Sequence, residues 1–275
     1  MKLRNSEFPS AELFRGYRPK MARTEVHFQS KTYNPEDFGA PEAGRLAAKL
    51  RAFVWRLRLS GIPLGVNGVL RKRVWVRRHK LWEYVRTVGS VLETGDGNPR
   101  EVSRQGSQLR VLDFGGAATL PIYYLAAQGC EVLCLDIDAG LREATNRISA
   151  KRGWRLRCSS HDLTQGTLPE SERKFDAAIS CSVLEHIPKK LQPAVMERLA
   201  AALRPGGVMA ITFDFGADAP QPGAIRDAAE VAQLVAATGM SHVNDTGFVD
   251  TGERFVLDNH HPGKKFTFGS LFLRK

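Results

Sequence analysis

The chain has 275 residues, of which 43% are hydrophobic and 25% are charged, and its formal net charge is +11. These values are ordinary for a globular protein, so we expect one large domain or one domain with an appendage. The N-terminus has no charged segment leading into an apolar stretch, which argues against a secretory signal. The longest uncharged run of the first hundred residues, 59–70, is too short to span a bilayer.

The four cysteines of the chain are Cys130, Cys134, Cys158 and Cys181, and none of them forms a Cys-x-x-Cys pair. At least three fall in predicted core strands. We therefore expect buried thiols in a reducing cytoplasm, without a metal or disulfide role. The predicted location is cytoplasmic, with the inner face of the membrane as a possible peripheral site.

The positive charge is concentrated in the first part of the chain. Residues 1–109 contain 21 Lys and Arg and 10 Asp and Glu, whereas residues 110–275 contain 19 of each class. Within 51–86, ten basic residues are interleaved with aromatic residues, and Glu83 is the only acid. This asymmetry predicts a basic segment, 1–105, followed by a second domain, 106–275.

The basic segment is predicted to be mostly helical after an irregular start. Residues 1–43 are polar and contain four prolines, which is typical of an extended arm. Helices are predicted at 43–59 and 72–92, with a break at Gly61–Gly65. In the second helix, apolar residues recur at spacings of three, four or seven, which predicts one apolar stripe opposite a basic face.

From residue 109 onward, predicted strands and helices alternate. The strands are expected at 109–113, 131–135, 154–158, 175–180 and 207–213. The helices are expected at 119–128, 139–151, 190–203 and 224–238, with Gly129, Gly153 and Gly239 as stops. Two further strands, 242–249 and 266–273, follow without a helix between them. The pattern predicts an α/β fold: a doubly wound seven-stranded sheet, mostly parallel, with an antiparallel C-terminal strand pair.

A glycine turn follows the first strand of this alternation. Asp113 ends the strand, Gly115-Gly116 follow it, and Thr119 and Pro121 are suited to begin a helix. The second strand ends in Asp136, 23 residues after Asp113. A glycine turn lets a ligand approach the backbone, and an acid about 20 residues later can bind ribose hydroxyls. The arrangement predicts a nucleoside-containing cofactor.

Five segments in order resemble the class I S-adenosylmethionine-dependent methyltransferase family, over about residues 109–275. They are Val-Leu-Asp-Phe-Gly-Gly (111–116), Leu-Asp-Ile-Asp (135–138), His-Asp-Leu (161–163), the run from Phe175 to Ile187, and Leu-Arg-Pro-Gly-Gly (203–207). The resemblance implies S-adenosylmethionine as cofactor. By position, it also implies the following cofactor-binding residues: Asp113, Gly115, Gly116, Ala117, Asp136, Ile137, Asp162, Leu163 and Ser180.

The glycine loop departs from the family pattern, because Ala117 and Thr119 stand where glycines are usual. The added methyl of Ala117 lies where the cofactor approaches. A non-catalytic cofactor-binding or scaffold protein therefore stays open as an alternative. A dinucleotide-binding dehydrogenase is disfavoured, since the loop lacks the Gly-x-Gly-x-x-Gly pattern.

Candidate reacting groups lie at the predicted carboxyl edge of the sheet. His186 is a candidate general base with Glu185 as its orienting partner, although both also suit the first turn of a helix. Asp214 is a substrate contact or a strand terminator. His260 and His261 form a substrate rim or a solvated loop. No group of residues has the spacing of a metal site.

The acceptor is expected to be a small or carrier-linked metabolite methylated on oxygen or nitrogen, such as a glycan or natural-product precursor, with the N-terminal helices as its lid. The basic stretch 51–86 is predicted to pack on the catalytic domain or to bind an acidic partner or an anionic membrane surface. RNA binding, and thus an RNA methyltransferase, is the less favoured alternative.

Overall fold

The computed structural model describes residues 28–66, 68–94, 109–244, 246–258 and 260–275. Most of the predicted N-terminal arm, residues 1–27, lies outside these ranges. The domain boundary predicted near residue 105 lies outside them as well.

The N-terminal part begins with a two-residue strand and contains two long helices. Its elements are β1 (Lys31–Thr32), α1 (Pro41–Leu59), β2 (Leu64–Val66), β3 (Val69–Arg71) and α2 (Arg78–Thr94). A 3-10 turn at Pro35–Gly39 precedes α1, and the Asn34 side chain caps it by accepting from the Glu36 amide. The strands β2 and β3 pair as an antiparallel hairpin.

The second part contains the large sheet. Its strands are β4 (Arg110–Phe114), β5 (Glu131–Leu135), β6 (Leu156–Ser159), β7 (Phe175–Cys181), β8 (Leu203–Phe215), β9 (Ser241–His242) and β10 (Thr267–Arg274). Its helices are α3 (Leu120–Ala127), α4 (Ala139–Arg152), α5 (Gln192–Ala202) and α6 (Ala228–Thr238). The sheet order is β1-β10-β8-β7-β4-β5-β6, and β9 pairs with β10.

This topology confirms the predicted α/β fold. The five strands β4 to β8 are parallel, and β10 pairs antiparallel with β8 over eight residues. Gly153 and Gly239 end α4 and α6 in the left-handed conformation, with φ of +64° and +63°. Pro121 lies in the first turn of α3 as predicted. Thr119 takes the N-cap position, but its hydroxyl donates to the Gly116 carbonyl at 2.7 Å and caps nothing.

The helix predicted over 72–92 is wrong at its start. The structure forms the β2–β3 hairpin and begins α2 only at Arg78. In the sequence, the dipeptide Asn67-Gly68 is a strong hairpin-turn signal, which favours a hairpin ahead of the helix. The predicted basic face of α2 is wrong too, since residues 81–91 are buried on nearly every side of the helix.

The strand predicted over 242–249 is reduced to the two residues of β9. β9 pairs with Leu273 and Arg274, whereas β1 pairs with Gly269 and Ser270 of the same strand. Val249 exchanges backbone hydrogen bonds with the β1 region and not with β10. The edge of β10 is thus shared between the N-terminal part and β9.

The N-terminal helices share a hydrophobic core with the sheet. Leu50 and Leu57 of α1 pack with Leu81 and Val88 of α2 in a cluster that includes Val111 of β4. Helix α2 also lies against β7, β8 and β10. It therefore covers the sheet near the carboxyl ends of β7 and β8, where doubly wound folds bind their ligands.

Candidate functional site

The glycine turn after β4 is sterically restricted at both glycines. Gly115 has φ of +79°, and a Cβ there would lie 2.6 Å from a methyl carbon of Val183. A Cβ on Gly116 would overlap the Asp113 carboxylate. The turn thus requires glycine twice, once for its backbone angle and once for the close approach of Asp113.

Asp113 is buried at the end of β4. It is 2% exposed, and its Oδ2 atom has no hydrogen-bond partner among the described residues. Burial raises the pKa of Asp113 to about 7, and nearby Asp136 adds to the rise. An unpartnered carboxylate oxygen beside a bare glycine backbone is suited to accept a hydrogen bond from a polar ligand.

The substituted part of the loop adopts an unusual backbone. Ala118, not Ala117, takes a positive φ of 61°. Two hydrogen bonds hold it there: its amide donates to Thr145 Oγ1 at 2.8 Å, and its carbonyl accepts from Gly65 of β2 at 2.8 Å. The strain that alanine causes in the left-handed region is about 1–2 kcal/mol, and these bonds offset it. The loop therefore closes without the family's glycines.

Asp136 and Ile137 follow β5 at the same edge. Asp136 accepts the Ala117 amide at 3.0 Å and the Asp138 amide at 2.9 Å, one on each carboxylate oxygen. Its carboxylate is thus fixed beside the glycine loop with lone pairs to spare for hydroxyl groups. Ile137 is 78% exposed, which is a high exposed fraction for a large aliphatic side chain. A flat apolar ligand group would cover it.

The other predicted cofactor residues fall into two groups. Asp162 lies after β6, is partly exposed and accepts the Thr164 amide at 2.8 Å. Leu163 and Ser180 are buried, and the Ser180 hydroxyl donates to the Phe114 carbonyl at 2.9 Å. These two side chains support the strands from within, so their contribution to cofactor binding stays a prediction.

Helix α2 adds a buried carboxylate that sequence reasoning missed. Glu83 is fully buried, accepts from the hydroxyls of Ser182 and Thr212 at 2.5 Å each, and pairs with Lys80 at 3.0 Å. Burial acts to lower the pKa of Lys80, but the nearby Glu83, Tyr84 and Glu185 together outweigh burial and raise it. The available signal was that Glu83 is the single acid within a strongly basic stretch.

Glu185 and Asp214 lie beside this ion pair. Glu185 follows β7, is 2% exposed, and its Oε2 atom has no partner among the described residues. Asp214 is in β8, and burial raises its pKa to about 7, with Glu83 adding to the rise. Burial and the nearby Asp214 raise the pKa of Glu185. The charges of Lys80 and Glu83 thus act on the pKa values of both predicted residues, Glu185 and Asp214.

The predicted histidines are less enclosed. The His186 side chain is exposed while that of Glu185 is buried, and burial of part of the imidazole with the charge of Lys80 lowers the pKa of His186. A base role for His186 with Glu185 as orienting partner stays a prediction. His261 pairs with Asp258 at 2.7 Å, and His260 is exposed in the same loop. Asp258 is close enough to Asp214 to raise its pKa.

The thiols and possible metal ligands are dispersed. All four cysteines are free, three are buried, and burial raises the pKa of Cys181 to about 12. Over the described ranges, no three His, Cys, Asp or Glu side chains converge as metal ligands.

Two comparisons concern sequence. Residues 111–207 match the family described as a methyltransferase domain. The chain is also 36% identical over 109 residues to the ribosomal RNA small subunit methyltransferase B of Thermus thermophilus. That alignment spans 37% of this chain and 27% of the relative, so the chain covers about a quarter of the relative's length.

Solved structures share the fold. The cyclase SpnF is 15% identical with a TM-score of 0.52, and the match covers 82% of this chain and 92% of that one. A putative sarcosine dimethylglycine methyltransferase from Galdieria sulphuraria is also 15% identical, with a TM-score of 0.50 over 83% and 98% of the two chains. At such low identity these matches establish the fold alone, and the two neighbours are named for different reactions.

Proposed function

We propose that this chain, which carries a class I S-adenosylmethionine-dependent methyltransferase domain, transfers a methyl group to an oxygen or nitrogen atom of a small or carrier-linked metabolite. The observation that carries the proposal is the buried Asp113 carboxylate, whose Oδ2 atom has no hydrogen-bond partner among the described residues, beside Gly116 at the sheet edge where α2 adds further polar groups. Fold alone would leave the reaction open.

The residues at this edge fit the cofactor. Asp113 and the glycine turn would hold its amino-acid end, the fixed carboxylate of Asp136 would accept from its ribose hydroxyls, and Ile137 would lie against its base. When bound, S-adenosylmethionine supplies an activated methyl group on a positively charged sulfur. The chain's part is then to position the acceptor and to exclude water.

Helix α2 and the β2–β3 hairpin are suited to be the lid over the acceptor. Gly65 of the hairpin donates to the Ala118 carbonyl, which places the hairpin on the cofactor loop. Helix α2 buries Glu83 against the ends of β7 and β8. A hydroxyl acceptor needs a base at this place, and Glu185, His186 and Asp214 are the candidates. Titratable side chains at the expected acceptor position support an enzymatic function.

Calorimetry with S-adenosylhomocysteine tests the proposal directly. We expect binding with a micromolar dissociation constant and a rise in the unfolding temperature. Incubation with methyl-labelled cofactor and fractionated cell extract should then label a small molecule. A non-catalytic scaffold would give neither heat nor thermal shift, and that result would refute the proposal.

RNA methylation is the second candidate, and one observation favours it: the partial identity to a ribosomal RNA methyltransferase. The charge distribution argues against it, since residues 110–275 are neutral overall. If the labelled methyl group is recovered in nucleic acid and not in the small-molecule fraction, RNA methylation replaces metabolite methylation as the proposed function.

We further propose that the basic stretch 51–86 contacts anionic lipid headgroups. Within it, large apolar side chains are exposed beside arginines: Trp75 is 83% exposed, Leu59 is 84% exposed, and Trp55 is 53% exposed with Arg58 stacked over its ring at 4.8 Å. Exposed tryptophan and leucine among basic residues are typical of proteins that lie on a membrane surface. No helix among the described residues has the length and hydropathy to cross a membrane.

Co-sedimentation with vesicles distinguishes anionic lipid from RNA as the partner of the basic stretch 51–86. We expect the protein to pellet with vesicles that contain phosphatidylglycerol and to remain in solution with neutral phosphatidylcholine vesicles. Trp75→Ala should weaken the pelleting, whereas Val256→Ala, which removes a 48% exposed apolar side chain outside the basic stretch, serves as the control. Retention of total RNA on filters without vesicle binding would contradict the lipid proposal.

A further inference from the structure

We propose that a cleft at the amino edge of the sheet is a second ligand site, which binds a small organic phosphate. The cleft has a volume of about 610 Å³, within the range of small-molecule sites. Three arginine side chains line it: Arg110, Arg155 and Arg157. The site is independent of the proposed function, because the predicted cofactor residues lie at the opposite edge of the sheet.

The cleft lies at the ends where the parallel strands begin. Arg110 and Glu131 are the first residues of β4 and β5, and Phe175 is the first residue of β7. Asp136 follows the other end of β5. At about 3.3 Å per residue it is about 16 Å along the strand from Glu131. A small ligand in the cleft therefore leaves the cofactor edge open.

The crossover from β6 to β7 explains why this part of the sheet is accessible. Helix α4 packs on one face of β6, where Leu156 and Cys158 are buried. The described residues 160–174, which cross to β7, contain turns and one short 3-10 helix but no α-helix. Because side chains alternate along a strand, Arg155 and Arg157 lie on the other face, and both are exposed. A parallel sheet is normally covered by helices on both faces, and the cleft lies where one is missing.

The guanidinium groups are held in place and keep donors for a ligand. Arg157 donates from one terminal nitrogen to Glu172 at 2.9 Å. Arg110 donates to Glu131 at 3.2 Å and to a backbone carbonyl at 3.0 Å, and its guanidinium carbon lies 4.9 Å from the centre of the Phe175 ring. A guanidinium has five N–H donors, so these bonds leave further donors on both side chains. Three arginines and two glutamates line the cleft, which gives it an excess of one positive charge.

An added peptide strand is disfavoured as the occupant, although β6 is the edge strand of the sheet. The Asn146 side chain accepts the Cys158 amide at 2.7 Å and donates to the Cys158 carbonyl at 3.1 Å. The Ser149 hydroxyl donates to the Leu156 carbonyl at 2.7 Å. A further strand would need these backbone groups, which α4 already occupies. The cleft therefore binds its ligand through side chains.

A phosphate ester makes the fullest use of these side chains. Phosphate has three acceptor oxygens and a charge close to −2, and guanidinium groups bind it through paired hydrogen bonds. A carboxylate has two oxygens and one charge, so it would leave more of the arginine donors without a partner. Leu133 and Phe175 also line the cleft, and they provide apolar surface for the organic part of the ligand.

The test uses phenyl phosphate as the probe, with inorganic phosphate and benzyl alcohol as comparisons. Each is titrated calorimetrically into the full chain at about pH 8, where the phosphate is a dianion. We expect one phenyl phosphate to bind per chain with a submillimolar dissociation constant, about tenfold more tightly than either comparison. Saturation with S-adenosylhomocysteine should leave this affinity unchanged.

Variants assign the binding to the cleft. Arg157→Gln should weaken phenyl phosphate about tenfold, since it removes a charged donor. It should leave the unfolding temperature unchanged, because the ion pair of Arg157 with Glu172 is solvent-exposed and contributes little to stability. Arg155→Gln should weaken the probe similarly. Arg147→Gln removes an exposed arginine of α4 outside the cleft and should change nothing.

Each outcome decides between the site and its alternatives. Phenyl phosphate affinity that survives both Arg157→Gln and Arg155→Gln, or displacement of the probe by S-adenosylhomocysteine, would overturn the second site. Inorganic phosphate that binds as tightly as phenyl phosphate would overturn the organic ligand. Failure of S-adenosylhomocysteine to bind would refute the proposed function instead, and phenyl phosphate binding that depends on the two arginines would still support the second site.

Discussion

The glycine at position 115 provides the sharpest test of the cofactor loop. In Gly115→Ala the new methyl group enters a left-handed backbone at φ of +79° and lies 2.6 Å and 2.7 Å from the two Val183 methyl carbons. The backbone strain is about 1–2 kcal/mol. Overpacking against Val183 adds about 1–3 kcal/mol. We expect the free energy of unfolding to fall by about 2–5 kcal/mol in total.

Two further variants separate these contributions. Gly153→Ala also places alanine at a positive φ, +64°, but its Cβ would have no neighbour within 4 Å, so it reports backbone strain alone. Val183→Ala removes the methyl groups that clash. In the double-mutant cycle, Gly115→Ala should cost about 1–3 kcal/mol less when Val183 is alanine.

The assay is urea unfolding, supported by thermal scans. For a domain of this size, each kcal/mol corresponds to about 2–4 °C in unfolding temperature. S-Adenosylhomocysteine affinity should fall in Gly115→Ala and stay unchanged in Gly153→Ala. If the two glycine variants lose equal stability, or if Val183→Ala brings no relief, the steric reasoning about this turn is wrong.

Three other predictions concern the same edge of the sheet. Ile137→Ser should lower S-adenosylhomocysteine affinity about 5–30-fold without changing the unfolding temperature of the free protein, because a 78% exposed side chain contributes little until a ligand covers it; an unchanged affinity would remove Ile137 from the site. Thr145→Val should destabilise the protein by about 1–3 kcal/mol in urea, since the Ala118 amide loses its acceptor; no change would mean that another group holds the loop. The pKa of Asp113 in the folded protein is about 7, above the ordinary value, so the folded protein favours the neutral acid. The stability that this contributes is complete below pH 4 and is lost as the pH rises through 7. Asp113→Asn should therefore gain stability relative to the natural protein by up to about 4 kcal/mol between pH 4 and pH 8, and a pH-independent difference would contradict the assigned pKa.

The part of the fold from β4 onward was predictable because its signals are local. Alternating apolar strands and glycine-terminated helices identify the parallel sheet, and the strand ends identify Asp113 and Asp136 as neighbours. The sequence marks Glu83 only as the single acid of the basic stretch 51–86, because its burial at the site depends on α2 packing against distant strands. The positive φ of Ala118 depends likewise on hydrogen bonds from α4 and β2, which no local pattern encodes.

The edge of β10 has a consequence for handling the protein. The strand Thr267–Arg274 is apolar, almost uncharged and free of proline, and β1 and β9 cover its outer edge with only two residues each. Such a segment pairs readily with other chains once its edge is uncovered. A chain trimmed before Tyr33 loses β1 and presents this edge, so aggregation and not loss of chemistry would be the first symptom of shortening the N-terminus.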